Sequence, residues 1–480
     1  MRNPKNKILE TDYLIVGSGA VGMSFADVML TETNASMIIV DRLSMPGGHW
    51  NMAYSFVTLH QPALYYGVSS TELSNGTKDE VGLNKGLYEL ASGARINAYF
   101  DEVMNHRFLP SGRVRYFPLC DYQGDGKFKS IITGECFEVR VNKKIVDATY
   151  LKTSIPATHT PGFHTAPDVK FVPINDLIRL SEPPSGYVII GAGKTGIDAC
   201  LWLLGHQVDP DNITWIMPRD SWFFNRVNNQ PTEDFFEFSI GSLAAQFEAI
   251  TASTSIADMF DRLEAANVLM RLDKNVRPAM FHGASITPQE LEQLQRIKNI
   301  IRMGRVKNIE HDKIILNKGS IPTSPQTIHV DCSASGISNS EIVPVFKKNT
   351  ITLQCVMAYQ TVASAAFIAH IEAEYPDENK KNELCAVVPL PNHDTDWMKT
   401  LASNIRNKSV WNQYPDIRKW LYTNRLDGFS KLVANVLEDD KEKQAIFKRM
   451  HENIKPAMKK LQQYISDISE PINGKLLPIE

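Results

Sequence analysis

Two glycine clusters carry the chemistry most legible in this chain: Gly17, Gly19 and Gly22 in GSGAVG, and Gly191, Gly193 and Gly196 in GAGKTG. Both have the spacing GxGxxG. Glycines at those positions permit a tight turn, leave backbone N–H groups open to a pyrophosphate, and let the next helix pack closely with its N-terminus toward the phosphate charge. A lone GxGxxG is a weak signal, but the first has context. Residues 12–16 read as a buried strand before it, and Met37–Val40 reads as a second strand that ends at Asp41, nineteen residues past Gly22. A carboxylate there can accept from both hydroxyls of a ribose. The second cluster follows the apolar run 187–190, and its next strand, 213–217, ends in Pro218 and Arg219 with no acid. A carboxylate would repel a 2′-phosphate whereas arginine pairs with one, so this site is expected to take NADPH in preference to NADH. Lys194 and Thr195 lie inside the second turn. Lys194 and Arg226 add positive charge, although either also reads as an ordinary surface cation. One chain is expected to hold two dinucleotides.

The elements that must position these turns are numerous enough for several cores. The chain has 480 residues, 43% of them hydrophobic, which suits a multidomain enzyme. A net charge of −3 creates no basic field, so neither nucleic acid nor an anionic membrane is expected as a partner. Arg2, Lys5 and Lys7 precede an apolar stretch as in a signal peptide, yet Asp12, the glycine turn and Asp27 assign that stretch to a nucleotide fold. No later run of about eighteen apolar residues could span a bilayer. The six cysteines, at 120, 136, 200, 332, 355 and 385, have no paired spacing, which suits reduced thiols and a cytoplasmic location. The twelve histidines lack partners at ligand spacing, so no metal site is expected.

After Asp41 comes a polar segment rich in Gly and Tyr, then β-structure over about 114–149, broken by a turn at 123–126 and read as a β-layer inserted in the first domain. Prolines in 154–184 suggest an extended connector. Helical periodicity over 232–300 suggests a helical insertion, strands return at 308–316 and 327–332, and 351–357 leads into a small-residue helix over 363–374. From Asp394 the pattern is helical. The expected fold is α/β with two Rossmann-like dinucleotide-binding domains, an inserted β-layer, a helical insertion and a helical C-terminal region. Its expected boundaries are 1–180 for the first part of the first domain, 181–320 for the second domain, 321–385 for the return to the first, and 386–480 for the C-terminal region.

Gly47, Gly48, His49 and Trp50 follow shortly after Asp41. With the two turns, this layout resembles the flavoprotein monooxygenases that carry one FAD domain and one NADPH domain, a superfamily that includes Baeyer–Villiger, flavin-containing and N-hydroxylating enzymes. There a GGxW element packs beside the flavin, which implies FAD at the first turn with Gly48 and Trp50 beside it. The run 145–150 resembles the strand-and-ATG signature that returns the chain to the flavin, implicating Thr149, and 330–336 resembles its second copy, implicating Gly336. The segment from Tyr54 to Tyr66 resembles the Baeyer–Villiger stretch YPGxxCDxPxxxY, with His60 where that subfamily has an active-site aspartate. The likeness runs in fragments over about residues 10 to 375 and departs at the linker fingerprint FxGxxxH, where Pro173 and Leu177 follow Phe171 in place of the glycine and histidine.

The resemblance implies an FAD-dependent, NADPH-consuming monooxygenase that inserts one atom of O2 into a small organic substrate through a flavin C4a-(hydro)peroxide, shielded by the helical insertion and tail. The alternative is an NADPH-dependent flavin dehydrogenase or reductase without oxygen insertion. A disulfide reductase would need two cysteines a few residues apart beside the flavin, and the sequence has none. His60, with an ordinary pKa near neutrality, is a candidate for moving a proton; the alternative is a histidine hydrogen-bonded in a loop core. Trp50 and Tyr54 are expected to pack against the cofactor. Trp222 and Phe223 line the nicotinamide cleft or are core aromatics. The helix from Ala363 points its N-terminus at the flavin pyrimidine or is simply close-packed. A homo-oligomer is compatible with the sequence, which does not encode the substrate in any readable motif.

Overall fold

The computed structural model describes residues 7–336 and 341–469. Arg2 and Lys5 lie outside the described residues. The strand Lys7–Val16 lies inside the first sheet, flanked in parallel by Met37–Val40 on one side and Cys136–Asp147 on the other. Val114–Phe117 extends the sheet beyond Met37–Val40, and Thr350–Thr352 extends it beyond Cys136–Asp147, again in parallel. The chain order along the sheet therefore reverses between Lys7–Val16 and Cys136–Asp147. Ligands of doubly wound sheets bind at such a reversal, outside the carboxyl ends of the strands.

A second sheet repeats the plan. Its order is Lys170–Pro173, Thr327–Asp331, Gly186–Ile190, Ile213–Ile216 and Ile300–Ile301, all parallel. The reversal falls between Gly186–Ile190 and Thr327–Asp331. Both sheets are fed by strands that read as near-continuous apolar runs because helices cover their faces. The helix Ala20–Glu32 is buried along most of its length, from Ala20 to Leu30, since it lies between the first sheet and the equally apolar helix Thr361–Glu374. Polar contacts near both ends fix their register: Ser24 Oγ donates to Val362 O at 2.8 Å, and His370 Nδ1 lies 2.7 Å from Glu32 Oε2.

The β-rich segment over 114–149 is present, but its outer strands, Val114–Phe117 and Cys136–Asp147, belong to the first parallel sheet and do not form a separate layer. Only the hairpin Cys120–Gly124 and Lys127–Ser130 projects from it. Phe117, Phe128 and Phe137 form a three-ring cluster, with the last two stacked at 4.8 Å, and it covers the face of Leu14, Ile38 and Val40. The helices Ser242–Ala252 and Ile256–Ala265 of the insertion pack with the C-terminal helices Asp396–Trp411 and Lys441–Ser469 around Trp222, Phe247, Phe260, Trp397 and Leu461. Insertion and tail, distant in sequence, thus share one core. Among the described residues, no helix is long and apolar enough to cross a membrane.

The glycines of the turns are not interchangeable. A Cβ on Gly196 would lie 2.2 Å from Gly191 O, and one on Gly22 would lie 2.1 Å from Gly17 O, whereas a Cβ on Gly193 meets nothing within 4 Å. Gly196→Ala is expected to destabilise the fold by about 1–3 kcal/mol through overpacking against rigid backbone. Gly193→Ala, at an N-cap position, should stay within about 1 kcal/mol of the parent. Urea unfolding midpoints of the two variants check this ordering.

Candidate functional site

At the first reversal, Gly17 takes φ +103° and donates to Val40 O at 2.8 Å, while Ala148 N donates to Val16 O at 3.0 Å and closes the crevice from the other side. A side chain on Gly17 would press on Thr149 Cγ2 at 3.0 Å. Gly48, with φ +61°, lies against Gly19 so closely that a Cβ would come within 2.9 Å of Gly19 Cα. Asp41 ends its strand as expected. Its Oδ2 accepts from Ser18 N at 2.6 Å and Ser18 Oγ at 2.8 Å, and its Oδ1 accepts from Leu43 N at 2.8 Å. Thr149 donates from both N and Oγ1 to Asp147 Oδ1, at 2.9 and 2.7 Å. Trp50 donates from Nε1 to Tyr66 OH at 2.8 Å, its ring edge-on to Tyr66. The structure thus gathers Gly17, Gly19, Asp41, Gly48 and Thr149 around one crevice.

The second reversal is built the same way. Gly191 takes φ +129° and donates to Ile216 O at 3.1 Å, Cys332 N donates to Ile190 O at 2.9 Å, and Trp215 Nε1 holds Gly191 O at 2.8 Å. Ser333 donates from N and Oγ to Asp331 Oδ1, at 2.9 and 2.6 Å, duplicating the Thr149–Asp147 contact. Gly336 sits three residues on, and among the described residues nothing lies within 4 Å of where its Cβ would be. Lys194 pairs with Asp198 one turn along its helix. Asp198 Oδ2 also accepts from Tyr54 OH at 2.5 Å, which fixes the segment after Trp50 onto the helix Lys194–Gly205. Burial, with the Asp198 charge behind it, holds the Tyr54 phenol well above its ordinary pKa, and a Thr195 hydrogen bond opposes this. Phe56 stacks on Trp202 at 5.0 Å beside it.

Arg219 stands just past the strand Ile213–Ile216. Its guanidinium donates to Asn392 Oδ1 at 2.8 Å and lies 3.2 Å from His393 Nδ1, and among the described residues it forms no ion pair. Burial and then the neighbouring charge of Arg305 lower its pKa. Asn392, His393 and Arg305 were invisible as partners in the sequence because they come from segments 86 or more residues away. Arg226 is a different case. It is 1% exposed, pairs with Glu290 at 2.9 Å, and donates to Ser285 O, Asn84 Oδ1 and His60 O. The reading of Arg226 as a surface cation is corrected: it is a buried, fully engaged joint.

His60 lies beside this joint. Its Nδ1 accepts from Ser285 N at 3.3 Å, which assigns the ring proton to Nε2. Burial first, then the charges of Lys194 and Arg226, push its pKa down to about 3. The imidazole is therefore neutral throughout the physiological range, not poised to titrate near neutrality as its ordinary pKa suggests. Trp222 and Phe223 are 0% and 1% exposed in two different cores, so they are core aromatics and do not line a cleft. The helix begins at Thr361, two residues before Ala363, where Ser364 Oγ accepts from Val356 N and Met357 N at 3.1 and 3.0 Å.

Sequence comparison gives relatives without a described activity. The uncharacterized protein Rv2000 of Mycobacterium tuberculosis (strain H37Rv) and the uncharacterized protein Mb2023 of Mycobacterium bovis are each 48% identical over 431 residues, 90% of this chain and 79% of theirs. The chain belongs to one family with them. No family model matches it. Among solved structures, a flavin-containing monooxygenase from Stenotrophomonas maltophilia is 12% identical with TM-score 0.44, over 79% of this chain and 100% of its own. An oxidized steroid monooxygenase bound to NADP is 12% identical with TM-score 0.47, over 93% and 99%. A bacillithiol disulfide reductase from Staphylococcus aureus is 11% identical with TM-score 0.43, over 85% and 99%. At these identities the neighbours say nothing about the chemistry of this chain.

Two outcomes are expected at the Arg226 joint. Arg226→Met leaves Glu290 as an unpaired, largely buried carboxylate, and a loss of about 3–5 kcal/mol is expected in chemical denaturation. His60 has its folded pKa depressed, so below about pH 6.5 the unfolded chain takes up a proton that the folded one refuses until about pH 3. Stability should therefore fall as pH falls through that window, by up to about 1.4 kcal/mol per pH unit from this group. His60→Gln should flatten that part of the curve, as urea titrations at several pH values would reveal.

Proposed function

We propose that the chain is an FAD-dependent, NADPH-consuming oxidoreductase, and that it acts as a monooxygenase placing one oxygen atom from O2 into a small organic substrate. The observation that carries this reading is the pair of glycine cradles at the two strand-order reversals, one backed by Asp41 and the other followed by a strand that leads to Arg219 without an acid. A pyrophosphate fits each cradle, because Gly19 and Gly193 have room for close approach over the turn while their neighbours are fixed by backbone contacts. Asp41 would orient the ribose of FAD; Thr149 and Gly48 line the same crevice, with Trp50 alongside. Lys194, Thr195 and Arg219 would receive NADPH, Arg219 reading the 2′-phosphate with Arg305 and His393 nearby.

When bound, the flavin supplies hydride acceptance and oxygen activation. The chain's own residues orient and exclude. The Tyr54–Asp198 contact ties the segment after Trp50 to the helix Lys194–Gly205, and the insertion and tail share one apolar core beside them that would help to exclude water. His60, neutral with its Nδ1 engaged, is suited to donating a hydrogen bond from Nε2 and not to delivering a proton from an imidazolium. A dithiol mechanism is disfavoured by the thiols themselves: Cys200, Cys332 and Cys385 are buried, and burial raises each well above its ordinary pKa.

The purified protein is expected to be yellow with one FAD per chain. Gly19→Ala, whose Cβ would meet only ordinary contacts at 3.6 Å, should fold normally but lose FAD, and full occupancy in that variant would remove the assignment. Arg219→Ala should weaken NADPH about ten- to a hundredfold and leave NADH nearly unchanged, as one charge-assisted contact is worth roughly 1.5–3 kcal/mol. Transfer of label from ¹⁸O₂ into product separates oxygen insertion from the dehydrogenase or reductase alternative, in which NADPH is consumed with no label incorporated.

A further inference from the structure

Arg219 meets two side chains of the segment that leads into the helix Asp396–Trp411, and the chemistry of those contacts fixes what the segment offers outward. Asn392 Oδ1 accepts from Arg219 Nη2 at 2.8 Å and from His282 Nε2 at 2.9 Å. A guanidinium carries only donors, so the amide oxygen must be the atom that faces it, and the NH2 group is turned away. His393 Nδ1 lies 3.2 Å from Arg219 Nη1. By the same reasoning Nδ1 accepts and the ring proton sits on Nε2. The side-chain acceptors of both residues are thus consumed inward. What they have left are N–H donors: Asn392 Nδ2 and His393 Nε2, to which Arg219 adds Nε, all three without a protein partner among the described residues. Arg219, Asn392 and His393 are each partly exposed, so these donors are not sealed in a core.

The backbone holds the segment in this pose. Asn392 N and His393 N both donate to Asp396 Oδ2, at 3.2 and 2.9 Å, and Phe281 N donates to Asn392 O at 3.4 Å. Met280 is bridged to His393 on one side and to Ser221 on the other, so the stretch past the strand Ile213–Ile216, the stretch at 280–281 and the tail at 392–393 lie side by side. The neighbouring charge of Arg305 adds to the positive field at Arg219, and Asp394 and Asp396 oppose it from the tail. Asp396 is already engaged by two backbone N–H groups, and burial raises the pKa of Asp394. Several fixed N–H donors around one arginine, with a second arginine close by, suit a phosphate monoester, which accepts several hydrogen bonds at once.

We propose that Asn392 and His393 donate, together with Arg219, to the 2′-phosphate of NADPH, so that the C-terminal region completes the cofactor site and shares in the choice of NADPH over NADH. The inference rests on the reading of Arg219 as the residue that receives that phosphate. A cofactor with a bare 2′-hydroxyl leaves most of these donors unmatched, so its binding gains little from them. The tail then has two duties: one face of its first helix packs in the core shared with the insertion, and the turn before that helix reads the cofactor.

The probes are adenosine 2′,5′-bisphosphate and adenosine 5′-monophosphate, which differ by the 2′-phosphate alone, titrated calorimetrically into the purified full chain. The parent should prefer the bisphosphate at least about tenfold. Asn392→Ala and His393→Phe, the second of which keeps a ring, should each cut that preference about three- to tenfold and leave the monophosphate affinity unchanged. Each should also cut the preference that remains in an Arg219→Ala background, since donors that touch the phosphate act without the arginine. Losses seen only while Arg219 is present would show that the two residues merely hold its guanidinium, and would overturn the proposal. So would an undiminished preference in both variants, or equal weakening of the two probes. The underlying reading fails separately: a parent that binds both probes alike removes the 2′-phosphate role of Arg219 and this proposal with it. A parent and both variants that discriminate equally well leave that role standing and sink only the contribution of the tail.

Discussion

Backbone lying on backbone is the constraint on which this molecule depends. At the second reversal a Cβ on Gly191 would fall 2.2 Å from Cys332 O, and one on Gly196 would fall 2.2 Å from Gly191 O. Strand, turn, helix and the neighbouring strand therefore converge on a single point with no side chain between them. The same convergence occurs at Gly17, Gly22 and Ala148 in the first sheet. Everything polar at the two crevices is arranged around these contacts: Asp41 on the first turn, Trp215 Nε1 under the second, and the matched Thr149–Asp147 and Ser333–Asp331 pairs on the strands opposite.

Between the crevices, the structure uses charge sparingly and buries it well. Arg226 satisfies its donors on Glu290, Asn84, Ser285 and His60, and its field, added to burial, keeps His60 neutral. A buried ion pair of this kind adds little net stability against an apolar substitute, but it is intolerant of losing one member. Its value lies in fixing where three separate segments meet. Tyr54 performs a comparable service with Asp198, since a single phenol couples the segment after Trp50 to the helix at the second turn.

The two parallel sheets were readable in the sequence because their signals are local. Apolar strand, glycine turn and small-residue helix all occur within about thirty residues, and Asp41 and Arg219 follow at the ends of the next strands. The β-rich segment over 114–149 was readable as β-structure but not in its placement, because nothing local tells whether a strand joins an existing sheet or starts a new one. The interior of the candidate site was largely illegible. Asn392, His393 and Ser285 are ordinary residues until long-range packing brings them to Arg219 and His60, and the neutral state of His60 follows from burial and from cations 134 and 166 residues away. Trp222 and Phe223 show the reverse error open to sequence reasoning: adjacent aromatics after a nucleotide strand resemble a cleft wall, yet alternation sends them to two different cores.

The discontinuity of the first sheet sets an order of events during synthesis. Thr350–Thr352, which completes the sheet beside Cys136–Asp147, emerges about 200 residues after that strand. At roughly 5–20 residues per second, the half-built sheet spends on the order of ten to forty seconds with that edge unpaired. The hairpin covers only the beginning of the strand, through Lys127–Lys129 against Cys136–Glu138. The rest carries Arg140, Lys143 and Lys144, and charged side chains on an open edge discourage pairing with another nascent chain. In the finished protein Lys144 lies within 4 Å of Glu372 and Glu378, so a residue suited to guarding an open edge becomes part of the bond between the sheet and the helices that follow its completing strand.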